Sequence, residues 1–378
     1  MTTASPANFV RTAMVAPQAP PHPQGGILTP IRQRLFGGIG NSILTVLGVA
    51  LLAAVAWPAV RFLFIDAVWH GRDRTDCLAE TVGANVGACW PFIAAKFDQL
   101  MFGFYPASQR WRVLFVYGLG ALLLAPLLVP RVAHKRLNAA LFFLVFPIVA
   151  AVLLLGGVFG LAEVETRLWG GLLVTLVISY AGIVGSLPLG ILLALGRRSD
   201  LPVVRSASVL FIEFWRGVPL LTVLFFATYM LPLFLPGNWQ IDGLLRVLIG
   251  LILFSSAYLA EVVRAGLQAI PRGQIEAAQA LGLGYWRTMG LVVLPQALRL
   301  VIPGLVNHFI ALFKDTTLVL IVAIFDLLGQ LRAAFADPNW ATPVTLFTGF
   351  AFAGAIYFVV SFAMSRYALF TERRLRVR

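Results

Sequence analysis

Two pairs of opposite charges stand three residues apart in apolar surroundings: Glu213 with Arg216, and Glu261 with Arg264. Side chains three apart on a helix share a face, so each pair can meet. Their chemistry is electrostatic. They either neutralise each other at a membrane interface or form part of a gate. Asn307 and His308 lie deeper in an apolar run, and Lys314, Asp315 and Thr316 sit near its far end. Neighbouring helical residues point about 100° apart, so at most one of Asn307 and His308 faces a central cavity. Asn307 is expected to bond either an adjacent helix or a ligand. Pro303 and Gly304 are expected to loosen this helix, exposing backbone groups that can hold a zwitterion's carboxylate and ammonium.

Catalytic chemistry finds little support. No Gly-rich phosphate loop ending in Lys-Ser or Lys-Thr is present, and neither His-Glu-x-x-His nor Cys-x-x-Cys occurs. His22, His70, His134 and His308 are scattered, a poor arrangement for a metal or haem. The chain is not expected to be an enzyme. It also lacks a ladder of buried acids of the kind that couples proton flow to movement.

These residues must be positioned by membrane helices. The chain has 378 residues, 60% hydrophobic and 12% charged, with a mean hydropathy of +0.88. Soluble domains carry roughly twice that charge. A span needs about 20 apolar residues, and such runs fall near 42–64, 113–130, 139–161, 168–196, 217–235, 243–263, 290–313 and 344–365. The fold class is therefore an all-α polytopic membrane protein with about eight transmembrane helices. The run at 317–329 is too short to span and is expected to be re-entrant or to lie at the outer surface. Gly182, Ser186 and Gly190 form a small-residue stripe suited to close helix packing.

The net charge of +13 reflects loop bases rather than a nucleic-acid surface. Basic loops around Arg131, Arg197, Arg272 and Arg366 alternate with acidic ones around Asp73, Glu163, Asp242 and Asp337. The positive-inside rule then places both termini in the cytoplasm. Residues 1–40 are Pro-rich and read as a disordered tail, residues 41–165 as N-terminal helices with an outer loop, and 371–378 as a basic tail. Cys77 and Cys89 fall in that outer loop. In an oxidising periplasm they would close a disulfide; the alternative is two unpaired thiols in a partly folded loop.

One polar interruption between spans stands apart. Glu276-Ala277-Ala278-Gln279-Ala280-Leu281-Gly282, with Val292, Leu294 and Pro295 beyond it, reads as a short helix stopped by glycine. The alanines favour helix and let another surface approach closely. Gly282 and Gly284 permit positive φ and a sharp turn. A membrane chain that keeps such an element in water presents it to a soluble partner.

That spacing resembles the coupling motif of bacterial ABC importer permeases: Glu-Ala-Ala, three residues, Gly, nine residues, an aliphatic, one residue, Leu-Pro. Val292 replaces the more usual Ile. Phe214-Trp215-Arg216-Gly217-Val218-Pro219, Tyr258-Leu259-Ala260-Glu261 and Lys314-Asp315-Thr316-Thr317 resemble the polar amino-acid permeases of the histidine and glutamine type. This second resemblance covers about 168–370 and implies a five-helix permease core over 166–370, with coupling helices near 270–290, preceded by three extra helices. Cys77, Gly87-Ala88-Cys89-Trp90 and Arg110-Trp111-Arg112 resemble the M-type permease subunit of the general L-amino acid transporters. The resemblance implies a multi-pass subunit of the bacterial inner membrane importing L-amino acids by alternating access. Its implied partners are a cytoplasmic ABC ATPase dimer, a second permease of the Q-type, a periplasmic amino-acid-binding protein and the bilayer. ATP and Mg would belong to the ATPase, with no cofactor in this chain. Lys314, Asp315 and Thr316 would contact substrate or the binding protein. The competing expectations are an ion-coupled secondary carrier and a non-transporting scaffold.

Overall fold

The computed structural model describes residues 32, 34–83, 85–129, 132, 134–236 and 241–376. Nearly all of the expected Pro-rich tail lies outside the described residues, as do Arg131 and residues 377–378. The described chain is helical, with isolated bridges in place of strands.

The described residues divide between Asp66 and Ala67 into two units. The first contributes α1, Ile39–Val60, prolonged by a π-helical turn, Arg61–Ile65. Its hydroxyls are satisfied internally: Ser42 Oγ donates to Gly38 O at 2.9 Å and Thr45 Oγ1 to Leu35 O at 2.7 Å. A hydrocarbon environment requires such pairing.

The second unit holds α2 (Trp90–Phe102), α3 (Arg110–Leu128), α4 (Lys135–Leu155), α5 (Gly171–Arg197), α6 (Pro202–Gly217), α7 (Leu220–Phe234), α8 (Gly243–Gln268), α9 (Arg272–Ala280), α10 (Tyr285–Val322), α11 (Leu327–Ala334) and α12 (Pro343–Arg376). Among the described residues seven helices are long and apolar enough to cross a membrane, or eight if the bent pair α6–α7 makes one span. This agrees with the eight runs in the sequence.

The differences have physical causes. The expected span 217–235 is α7, and it follows a 102° bend from α6. Val218, which precedes Pro219, is extended at φ −100° and ψ 133°, because the proline ring disfavours helix in the residue before it. The helix expected over 290–313 runs for 38 residues. It does not break at Pro303 and Gly304: α-helix is continuous over Leu294–Asp315. The departure comes earlier, in a π-helical turn at Thr288–Val293. Pro295 follows directly, and its ring would clash with the carbonyl four residues back in a regular helix. The apolar run at 317–329 splits: a tight 3₁₀ turn, Thr316–Val322, finishes α10, and Ala323 turns the chain at φ +61°. Asp326 then caps α11 by accepting from Gly329 N at 2.8 Å. This segment docks on the first turns of α5, where Leu327 N donates to Thr175 Oγ1 and Gly171 N to Phe325 O, both at 3.0 Å.

The central contact joins α5 and α8. Gly182, Ser186 and Gly190 are buried in it. A Cβ on Gly190 would stand 2.8 Å from Leu259 Cβ and 3.0 Å from Ser256 O, so only glycine allows this separation. Ser186 and Ser256 return their hydroxyls to their own helices, Ser256 Oγ donating to Leu253 O at 2.7 Å.

At the end where α5 begins, residues 67–105 form a small cap. Asp73 accepts from Thr75 N at 2.7 Å and starts the turn Arg74–Cys77. Cys77 and Cys89 are joined as a disulfide, and both are buried. The cap is fastened to the far end of the sequence. Cys89 N donates to Thr348 Oγ1 at 2.9 Å, and Arg74 N to Asn339 O at 2.8 Å. Phe92 stacks on Phe335 and meets Trp340. Lys96 pairs with Asp337 and, by donating to it, holds that carboxyl below the usual carboxylate range. Gly171, at φ +63°, lets α2 approach: a Cβ there would lie 2.1 Å from Leu100 O.

Closing a loop of this length stabilises a folded state by about 3 kcal/mol through the unfolded chain's lost entropy. Replacing Cys77 and Cys89 together by serine should lower the thermal midpoint of the detergent-purified protein. Maleimide should label neither cysteine of the native protein until a reductant is added. An unchanged midpoint would show that packing alone holds the cap.

Candidate coupling site and gate

At the opposite end of α5, roughly 40 Å away at 1.5 Å per residue, the polar interruption folds as a knob. Pro271, extended at ψ 138°, leads into α9. Ala278 is buried, whereas Glu276, Ala277 and Ala280 face outward. The helix stops by a paired-bond cap: Leu283 N donates to Ala278 O at 3.1 Å and Gly282 N to Gln279 O at 2.8 Å. This geometry needs a left-handed residue after the helix, and Gly282 supplies it at φ +77°. Gly284 departs from expectation. Its φ is −66°, and it opens the next helix, its carbonyl accepting from Thr288 N at 2.9 Å. The chain therefore turns on one left-handed glycine, not two.

The turn carries Leu281 and Trp286, 81% and 72% exposed. Tyr285 meets Trp286 edge-on. Gln296 ties the knob to α10 by donating to Val292 O at 2.9 Å and to Gln274 Oε1 at 3.4 Å. Leu294 is half-buried and Pro295 exposed in the first turn beyond the π-helical segment. An exposed apolar tip on a braced stem can dock a surface and transmit its movement.

The charged pairs meet beside this end. Arg264 Nη2 lies 2.7 Å from Glu261 Oε2, a close ion pair. Glu213 and Arg216 are looser, at 3.9 Å. The residue that joins the pairs is Arg197, the last of α5, read in the sequence only as a loop base. Its Nη1 donates to Glu213 Oε1 at 2.9 Å and to Glu261 Oε1 at 2.8 Å. Three helices are clasped by one guanidinium. No spacing in the sequence announces this, because Arg197 lies 16 and 64 residues from its acids.

A path of contacts leads from this cluster inward. The Arg216 guanidinium lies 5.8 Å from the centre of the Tyr258 ring. On the same tyrosine His308 stacks, with 6.0 Å between centroids. His308 Nε2 is 2.6 Å from Ser255 Oγ. Of the adjacent pair, His308 thus faces α8, and Asn307 is exposed. Thr316 is fully buried and donates to Phe313 O at 2.9 Å, whereas Lys314 is exposed and Asp315 half-buried. The structure does not gather 314–316 with His308. Tyr258 is the residue that sequence reasoning missed as a link, although it stands in the segment that contains Glu261. Among the described residues no group of acids, histidines and cysteines suits a metal ion.

Residues 186–377 match the model of the family described as binding-protein-dependent transport system inner membrane component. The chain belongs to that family. As a family member it is a multi-pass protein of the inner membrane, and its all-helical architecture is that of an ABC permease. It is 49% identical over 358 residues to the inner membrane amino-acid ABC transporter permease protein YhdY of Escherichia coli K12, covering 95% of each chain. It is 39% identical to the glutamate/glutamine/aspartate/asparagine transport system permease protein BztC of Rhodobacter capsulatus, covering 98% of this permease and 99% of that one. A shorter relative, the probable glutamine ABC transporter permease protein GlnP of Bacillus subtilis, is 35% identical over 56% of this chain and 93% of its own length. The family match begins inside α5, so the cap and α2–α4 are additions that the two long relatives share.

In this permease, Arg197→Ala should release α6 from α5 and α8. A charge-assisted hydrogen bond contributes about 1.5–3 kcal/mol when sheltered, and the partial exposure of Glu213 reduces that toward 1 kcal/mol. The expected result is a lower thermal midpoint and faster hydrogen exchange in α6. Arg197→Lys, a point charge without the planar fork, should fall between. Unchanged exchange in α6 of the alanine variant would show that the clasp does not hold it.

Proposed function

We propose that this chain is the permease subunit of an ATP-driven importer of L-amino acids, with ATP bound and hydrolysed in a separate ATPase. The observation that carries the reading is the knob: an exposed apolar tip of Leu281, Tyr285 and Trp286, rigidly stopped at Gly282 and continuous with a membrane helix. Such an element suits a cleft in a soluble partner. Membership of the family and the named substrates of its relatives support amino acids as the cargo.

In this reading the loop charges place the knob and both termini in the cytoplasm and the disulfide cap in the periplasm. A periplasmic binding protein delivers the substrate to the cap side. A second, homologous permease completes the path. Closure of two ATPase subunits on ATP pushes Glu276, Ala277 and the tip, and buried Ala278 passes the push to the stem. The movement passes along α10 through Leu294 and Pro295 and opens the clasp of Arg197, Glu213, Arg216, Glu261 and Arg264. His308 and Ser255 are the groups placed to meet a zwitterion inside, with Asn307, Lys314 and Asp315 available to the second permease or to the binding protein. A conformational change driven at one site must act through differential contacts in two states, and the ion-pair clasp can be made in one state and broken in the other.

Reconstitution tests this directly. Vesicles with the purified chain alone and an ion gradient should show no amino-acid uptake. Adding the ATPase, the second permease, the binding protein and ATP should give it. Uptake by the chain alone would overturn the reading in favour of an ion-coupled carrier.

Gly282→Asp should abolish ATP-driven uptake while membrane insertion survives, because it places a side chain and a charge at the left-handed turn. Normal uptake by this variant would remove the knob from the mechanism.

A further inference from the structure

The extra helices α3 and α4 do not close completely on the core. Between them and the first turns of α5 and α8 lies a cavity of about 630 Å³. Its walls are almost entirely hydrocarbon, with Val116, Leu124, Ala150, Leu154, Val177 and Leu248 among them. Direct contacts bound the cavity on the α4–α5 side. The Tyr180 hydroxyl donates to Phe142 O, and Phe142 and Phe146 meet the Tyr180 ring edge-on at 5.3 Å.

Water does not suit this space, since a buried water needs two to four polar partners. Polar groups occur at one end, where Thr166 donates to Asp242 at the entry to α8. There too the indole of Trp169, itself lining the cavity and 7% exposed, keeps a buried Nε1–H without a partner. Within α5 the lining residues from Leu173 to Ala181 span roughly 12 Å at 1.5 Å per residue, and Trp169, in extended chain just before the helix, lengthens the wall. Half of a bilayer's hydrocarbon core is about 15 Å. The cavity is therefore about one leaflet deep. It has a polar rim at one end and apolar walls beyond, and it is formed by helices that the membrane itself surrounds.

We propose that it is a lipid site, in which one acyl chain of a bilayer phospholipid lies between the extra helices and the permease core. The headgroup stays at the Thr166–Asp242 rim. The chain replaces the side-chain packing that α3 and α4 do not make with α5 and α8, so the extra helices are joined to the core partly through lipid. Leaving such a space empty forfeits dispersion contacts on every wall, and an acyl chain restores them without asking for a hydrogen bond.

The test uses the full chain in lipid nanodiscs containing a phospholipid with a photoreactive diazirine near the end of one acyl chain. Cross-linked peptides are mapped by mass spectrometry. The expected labels fall on cavity residues such as Leu124 and Val177, in addition to lipid-facing positions such as Ile148, which is 66% exposed. Ala150→Phe and, separately, Ala181→Phe should fill the space and reduce cavity labelling at least five-fold, while labelling of Ile148 stays constant and shows that each variant is folded. Two results would overturn the proposal. One is labelling confined to the outer surface of the wild-type protein. The other is cavity labelling that vanishes when a second permease subunit is assembled with the chain, which would make the occupant a protein helix.

Discussion

The closest approach of α5 to α8 governs the arrangement of everything else. Two membrane helices gain nothing from the hydrophobic effect by meeting in lipid, so close packing must hold them. Gly182, Ser186 and Gly190 provide it on α5, with Ser256 and Leu259 opposite. Once these helices are in register, the end of α5 is fixed, and Arg197 reaches Glu261 on α8 at 2.8 Å. The same register sets the other end of α5 beneath the cap. A single helix pair thus aligns the clasp, the Tyr258–His308 stack and the docked segment at Asp326.

Much of this architecture can be read from the chain because lipid imposes strict rules. Apolar runs of the right length became helices, and the polar break at 276–282 became a helix stopped at a left-handed glycine. Pro219 marked its bend for a reader who asks what the preceding residue must do. Pro303 misled for a related reason: proline weakens a helix, but neighbouring helices can hold it straight. The distortion appeared before Pro295 instead, where a wider turn relieves the ring.

What could not be read was long-range. Arg197 resembles any basic residue at the end of a span until the fold brings two acids to it. His308 and Asn307 are adjacent in sequence, and only packing decides which one faces Ser255. The burial of Thr316 depends on α10 tightening into a 3₁₀ turn, which no periodicity reveals. Residues that serve a site within one helix were legible, and those that serve it from several helices were not.

The cap has a consequence for how the protein is made. Its anchor at Thr348 lies 259 residues beyond Cys89, so a ribosome finishes the cap long before it supplies the surface on which the cap rests. Cys77 and Cys89 are buried once that surface is in place. Before that surface arrives the two thiols can meet in an open cap; afterwards an oxidant would have to reach a buried pair. The order of synthesis thus gives the N-terminal module an interval in which its cysteines can pair before the C-terminal helix covers them.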